Sequence, residues 1–247
     1  MKDKWFYMKD KWFYIAILLG CVFVGSILTQ GFSVNPLTGF ATKELHPNRS
    51  VKVDFFVMSF CPFGSQAEEI LKPVYDVFKN DVLFEPHFVI YSNYQSGFPN
   101  YCIDEENVYC SMHGISELNE GVRQLCIWQY YDEDTWWDYV GCINSECSSA
   151  NVEECWSGCA VKTGVNVNKI QTCLDTEAID LLSVDKALGD SLEVRGSPTL
   201  FFNGVSYQGV RSVDGYKQAI CSIDSSLSGC SEIIESITSE VNGGCEV

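Results

Sequence analysis

Hydrophobic and polar positions change their rhythm several times along the chain. Trp12 to Thr29 (WFYIAILLGCVFVGSILT) carries no charge, and its length suits a hydrocarbon core. Gly31 to Ser50 has no sustained period and many turn formers, as a linker would. Val51 to Met58 (VKVDFFVM) alternates and then becomes continuously apolar, as a strand entering the centre of a sheet should. Pro62 to Lys79 places Ala67, Ile70, Leu71, Val74 and Val77 at helical spacing, with Pro73 expected to kink the helix. Val82 to Tyr91 is a second strand candidate, in which Pro86 argues for an edge, bulge or bend. Strand, helix, strand predicts a βαβ start with a parallel pair.

From Tyr101 to about Asp175 the spacing turns helical and aromatic residues accumulate, which predicts an inserted helical module at about 101–175. A further helix is expected from Ala178 to Leu188. Asn203-Gly204 between two apolar runs is a two-residue hairpin signal. Val213 to Ile223 reads as a closing helix, and Ser231 to Val241 as one more short helix before the Gly243-Gly244-Cys245 tail. The expected organisation is a basic N-terminus (1–11), an anchor (12–30), a linker (31–50), an α/β domain (51–230) containing the insert, and a C-terminal helix and tail (231–247).

Charge and cysteine usage refine this picture. A net charge of −17 repels phosphate backbones and excludes nucleic acid as a partner class. Lys2, Lys4, Lys9 and Lys11 precede the apolar run, so the positive-inside tendency puts the C-terminal domain outside the cytosol of a single-pass membrane protein. The run is longer than the hydrophobic part of a usual signal peptide and lacks an Ala-x-Ala site, which favours an uncleaved anchor. Cys21 then reads as a membrane-buried small residue. The opening MKDKWFY is written twice and carries no functional reading. Asn48-Arg49-Ser50 is a glycosylation sequon on the side where glycans are added.

Thirteen cysteines fit a disulfide framework made in an oxidising compartment. No Cys-x-x-Cys pair occurs and no histidine lies near the Cys142/Cys147 and Cys155/Cys159 clusters, so neither a metal nor a cofactor is expected. If two antiparallel helices flank a turn near Ser148 to Val152, Cys147 faces Cys155 and Cys142 faces Cys159. Cys102, Cys110, Cys126 and Cys173 would supply two more bridges, and Cys221 with Cys230 a local one.

The candidate reactive group is Cys61, where a strand ends and a helix begins. Unpaired N–H groups and the positive end of the dipole stabilise a thiolate there, and Pro62 loses nothing in the first helical turn. "VDFFVMSFCPFGSQAEEIL" together with "VRGSPTLFFNGVSYQG" resembles the thioredoxin-like superfamily, in its DsbA-like branch with a helical insertion. The resemblance implies an α/β thioredoxin-like fold with a disulfide-rich helical subdomain, a cis Ser197-Pro198 bond facing the Cys61 sulfur, and substrate contacts from Pro62, Phe63, Gly64, Ser197, Pro198 and Thr199. "CSMHGISELNEGVRQLC" is similar to the signature of the gamma-interferon-inducible lysosomal thiol reductase family: His113, Gly114, Glu117 and Cys126 fall in place. Leu118 and Gly121 replace its middle cysteine and asparagine, and Cys110 comes one residue early. His113 reads as a structural residue of the insert.

The motif Cys61-Pro62-Phe63-Gly64 has no second thiol. A single cysteine can attack a disulfide and be displaced, but does not hold the oxidising equivalents by itself. The expectation is thiol–disulfide exchange or isomerisation with cysteine-containing protein clients and a membrane or extracytosolic redox partner. Cys245 is the candidate resolving thiol, either free or carried to Cys61 by the tail. The alternative is a non-catalytic thioredoxin-fold module that binds peptides or proteins, and a purely structural domain would bury the Cys61 sulfur. Asp54, Glu68 and Glu69 read as solvated.

Overall fold

The computed structural model describes residues 49–235. The expected anchor, the linker up to residue 48 with its sequon asparagine, Cys21 and Cys245 lie outside the described residues. Among those described, no helix is long and apolar enough to cross a membrane.

Strand β1 (Val51–Val57), helix α1 (Pro62–Phe78) and strand β2 (Val82–Phe88) form the expected βαβ unit. β1 and β2 pair in parallel from Val51↔Val82 to Val57↔Phe88. α1 continues through Pro73 without a break. Strands β3 (Thr199–Phe202) and β4 (Val205–Ser206) complete a sheet of order β2-β1-β3-β4, with β3 antiparallel to β1. Pro86 therefore lies on an edge strand, where its missing N–H leaves no ladder bond unmade. Asn203 and Gly204 have φ of 47° and 76°, the left-handed pair that a tight hairpin requires. β1 is central, and Val53, Phe55, Phe56 and Val57 are fully buried.

Between β2 and β3 lie α2 (Ile115–Tyr130), α3 (Glu133–Glu146), α4 (Val152–Lys162) and α5 (Val167–Ser191); α6 (Val213–Ile223) closes the domain. The expected boundary near Asp175 is not there. α5 runs straight across it, because Ile170, Cys173, Ala178, Leu181 and Leu182 form one continuous buried face. The expected C-terminal helix does not begin at Ser231 either: that residue ends a short 3-10 turn (Ser228–Ser231), and 232–235 are non-helical.

Five bridges staple the domain: Cys102–Cys110, Cys126–Cys173, Cys142–Cys159, Cys147–Cys155 and Cys221–Cys230. Two of them clasp the α3–α4 hairpin in the register that its spacing suggests. The insert also packs on the sheet. Trp137 stacks on Phe55 with centroids 5.6 Å apart, and Trp136 meets the same ring edge-on. Gly121 lets α2 approach β2, since a Cβ there would lie 3.0 Å from the Phe88 ring.

Several charged side chains lie inside this packing. His87 on β2 is held between Asp185 (Nδ1 to Oδ1, 2.9 Å) and Asp54 (Nε2 to Oδ1, 3.1 Å), so the imidazolium can donate from both nitrogens. Burial works against that charge, but the bonds to Asp185 and Asp54 outweigh it and lift His87 to about 9. Asp54 is buried, contrary to the solvated reading; burial alone would raise it, yet bonds from His87 and Lys52 hold it below the ordinary carboxylate range. Glu68, also read as solvated, is buried, and burial pushes it up to about 8 against a bond from Asn144. Glu69 on the next position is exposed as expected. Burial likewise raises Glu120 to about 7, opposed by the nearby Arg123 charge.

The signs of these shifts agree over the neutral-to-alkaline range. His87, raised, stabilises the fold fully below its unfolded value and loses that contribution as pH rises through about 9. Glu68 and Glu120, also raised, favour their neutral forms and lose stability as pH climbs from the ordinary carboxylate range towards 7 and 8. Asp54, lowered, opposes this only in strong acid. Unfolding measured in high salt, which suppresses net-charge repulsion, should give a higher midpoint at pH 5.5 than at pH 8.5. His87 alone accounts for on the order of 3 kcal/mol across its window, and Glu68→Gln should flatten part of the decline. A midpoint that is flat or rises over this range contradicts the assignment.

Candidate active site

The site starts where β1 ends. Ser59 and Phe60 turn the chain, and Cys61 occupies the N-cap of α1 with extended backbone (φ −75°, ψ 120°) and Pro62 in the first helical position. Cys61 N–H donates to Met58 O at 3.1 Å, and Cys61 O accepts from Ser65 N–H at 3.0 Å. Cys61 is fully buried, as the purely structural alternative expects, in a cluster with Phe56, Met58, Val89, Val194 and Phe201, rimmed by Phe63, Tyr91 and Met112. It is also disulfide-bonded. The sulfur is therefore held as a disulfide at the positive end of a helix, where a thiolate released from it would be stabilised.

Across from it lies the loop before β3. Ser197-Pro198 is cis, as the resemblance implies, and Ser197 O lies 3.7 Å from Cys61 Sγ. Pro198 is buried, Ser197 and Thr199 are half-buried, and Thr199 Oγ1 donates to Gly196 O at 2.7 Å. Pro62 is exposed and Phe63 half-buried. All six residues expected to line the site thus belong to the two segments that meet at Cys61.

Gly64 has a specific job in this meeting. A Cβ at residue 64 would lie 2.6 Å from Ser197 Oγ and 2.9 Å from Met58 O, closer than packed atoms tolerate. The Ser197 hydroxyl is fixed in that place by accepting Met58 N–H at 2.9 Å. At the position where a Cys-x-x-Cys site would put its second cysteine, a side chain would have to displace the Ser197 hydroxyl and the Met58 carbonyl.

The insert closes the third side through contacts that sequence spacing does not reveal. Glu117 on α2 is buried, and its Oε1 accepts the Phe60 N–H at 3.0 Å and faces His113 Nδ1 at 2.8 Å. Its Oε2 accepts the Ser111 hydroxyl and the His113 N–H. His113 is raised by its bond to Glu117, against the effect of burial. It contacts that carboxylate and not the sulfur, in keeping with a structural role. Beyond the turn, Ser65 Oγ donates to Asn144 Oδ1 at 3.2 Å, and Asn144 Nδ2 donates to Glu68 Oε2 at 2.7 Å.

Among the described residues, the clusters of metal-ligating groups are otherwise engaged. Asp54, Glu85 and His87 converge, but the Lys52 ammonium already bridges Asp54 (2.7 Å) and Glu85 (2.5 Å). The converging cysteines of the α3–α4 hairpin are spent in disulfides.

The Gly64 contact makes a stability prediction opposite to helix propensity. Gly→Ala inside a helix ordinarily gains up to about 1 kcal/mol; here Gly64→Ala should cost roughly 1–3 kcal/mol through overpacking. Adding Ser197→Ala should recover part of that loss, because the Met58 carbonyl stays in place. Denaturant unfolding of the two single variants and the double variant measures the coupling; a stabilised Gly64→Ala protein would rule the contact out.

Comparison with known proteins agrees with this architecture. The solved structure of oxidised BdbD from Bacillus subtilis superposes with a TM-score of 0.53 at 17% identity, covering 71% of this chain and 88% of that one. Reduced DsbA from Mycobacterium tuberculosis gives 0.53 at 13% identity, with 78% and 92% covered. The thiol-disulfide exchange protein alpha-DsbA2 from Wolbachia pipientis gives 0.53 at 12%, with 72% and 83% covered. At such identities the likeness is one of fold. No curated protein matches the chain. A family model for the vacuolar sorting receptor thioredoxin-like domain matches residues 79–221, which takes in the insert, the cis-proline loop and most of α6 but begins after the Cys61 turn. With more than half its length matched, the chain belongs to the vacuolar sorting receptor thioredoxin-like domain family.

Proposed function

We propose that this protein performs thiol–disulfide exchange through Cys61, with protein cysteines as its substrates. The observation that carries the reading is the state and setting of that sulfur: a disulfide at a helix N-cap, 3.7 Å from the carbonyl that precedes a cis-proline. Ten of the thirteen cysteines pair among themselves, leaving Cys21, Cys61 and Cys245. With Cys21 assigned to the apolar run, Cys245 is the proposed partner, and the resolving thiol comes from the tail rather than from the motif.

The exchange then balances. A client thiolate attacks the Cys61 sulfur, the Cys61–Cys245 bond breaks, and Cys245 leaves as thiolate. A second client thiolate attacks the mixed disulfide, releasing the client disulfide and Cys61 as thiolate. The client loses two electrons and the cysteine pair gains them; run backwards, the same steps reduce a client. Reoxidation or re-reduction falls to an extracytosolic or membrane redox partner. On this reading the protein is a single-pass membrane protein with its domain in an oxidising compartment, as the cysteine framework and the apolar run preceded by lysines suggest.

A second reading has its own support. The family to which the chain belongs is described as a domain of sorting receptors, and the motif has Gly64 where a second thiol would stand. A peptide-binding module that uses the loop at Pro198, with Cys61 locked, fits both. Stopped-flow mixing of the oxidised protein with a reduced cysteine peptide separates the readings. Exchange predicts a mixed disulfide on Cys61, none with Cys61→Ser, and turnover at least ~10-fold slower with Cys245→Ser. Saturable peptide binding with no mixed disulfide would establish the receptor-like reading instead.

A further inference from the structure

We propose that Glu117 is a positioning residue for Cys61, so that the helical insert sets the reactivity of the sulfur; the proposal rests on the exchange reading above. A carboxylate in the first turn of a helix ordinarily serves its own helix N-terminus. Glu117 is in the first turn of α2, whose N-cap Gly114 has no side chain to offer, yet its Oε1 reaches across to the Phe60 N–H, 57 residues earlier. Phe60 immediately precedes Cys61, and its amide is one of the few points at which the turn is held from outside.

The carboxylate is itself held firmly. The Ser111 hydroxyl, the His113 N–H and the His113 ring all bond to it, and Glu117 is buried. Those donors come from the segment between the Cys102–Cys110 bridge and α2, which is pinned further by Ser111 N–H to Tyr101 O (2.9 Å) and Ile115 N–H to Asn100 O (2.8 Å). A rigid chain of contacts therefore runs from a disulfide of the insert, through Ser111, His113 and Glu117, to the peptide that orients Cys61. On the other side of the turn, Asn144 of α3 grips Ser65. An N–H donating to a carboxylate is a strong bond in a buried setting. Losing it frees the Ser59–Phe60 turn and, with it, the placement of Sγ against Ser197 O.

Three variants separate geometry from charge. Glu117→Gln keeps the reach and an accepting oxygen but drops the charge; Glu117→Asp keeps the charge but withdraws the oxygen by one methylene; Glu117→Ala loses both. Each full-length protein is reduced at Cys61 under conditions that spare the five structural bridges, as checked by mass, and its alkylation by iodoacetamide is followed at fixed pH. Mixed-disulfide formation with a cysteine peptide is measured in parallel, and melting temperature monitors the fold. Positioning predicts that Glu117→Asp and Glu117→Ala change the Cys61 alkylation rate and slow exchange by at least ~10-fold, while Glu117→Gln stays within about 3-fold of the parent.

If Glu117→Ala fails to fold, the Asp and Gln pair still decides. A normal rate in Glu117→Asp, or a loss in Glu117→Gln as large as in Glu117→Asp, overturns the proposal in favour of a charge effect or no effect. The alkylation arm needs no client. A parent protein that never exchanges with peptide would defeat the functional reading while leaving the Glu117 result intact.

Discussion

Two backbone segments remote in sequence approach each other at Gly64 and Ser197, and the site is built around that approach. With hydrogen in place of a side chain at residue 64, the Ser197 hydroxyl enters the first turn of α1 and takes the Met58 N–H. This brings the cis-proline loop against the N-terminus of the helix and sets Ser197 O beside the Cys61 sulfur. The same contact makes a side chain at residue 64, a second cysteine included, costly to accommodate. Tight docking of the loop and a single cysteine at the helix N-cap are two consequences of one packing constraint.

The rest of the domain keeps those segments in place. β1 delivers Cys61 from the centre of the sheet, and β3, paired antiparallel to it, delivers Pro198. The insert leans on the first of these through Trp136, Trp137 and Phe55 and through polar contacts to the turn at Phe60 and Ser65. Beneath the sulfur, Phe56 stacks on the His87 ring with centroids 4.7 Å apart. The apolar pocket of Cys61 therefore lies directly against the buried Asp54–His87–Asp185 group, whose charges are mutually satisfied and whose burial costs less for that reason.

Much of this was legible in the sequence where the signal is local. The alternation of β1, the Cys61-Pro62 helix start, the Asn203-Gly204 hairpin and the period of α6 each depend on neighbouring residues, and each is realised. Charged residues were misread because their partners are distant. Glu68 is buried and accepts from Asn144, 76 residues away, and Asp54 shares His87 with Asp185, which lies 98 residues beyond that histidine. Nothing in the spacing announces such pairs. The length of α5 was hidden because polar Asp175, Thr176 and Glu177 resemble a break, although Asp175 and Thr176 form the exposed face of a continuous helix and Glu177 accepts from Gln129 and Tyr130 of α2. Glu117 could be singled out from its motif, but its reach to Phe60 required the fold.

The proposed exchange requires Cys61 to be one half of a disulfide whose other half is supplied from outside the motif. Mass mapping of the unreduced protein, alkylated before proteolysis, tests this directly. The account predicts a peptide containing Cys61 joined to the peptide containing Cys245, alongside the five bridges of the domain. A Cys61 recovered alkylated, or joined to any cysteine other than Cys245, would contradict it.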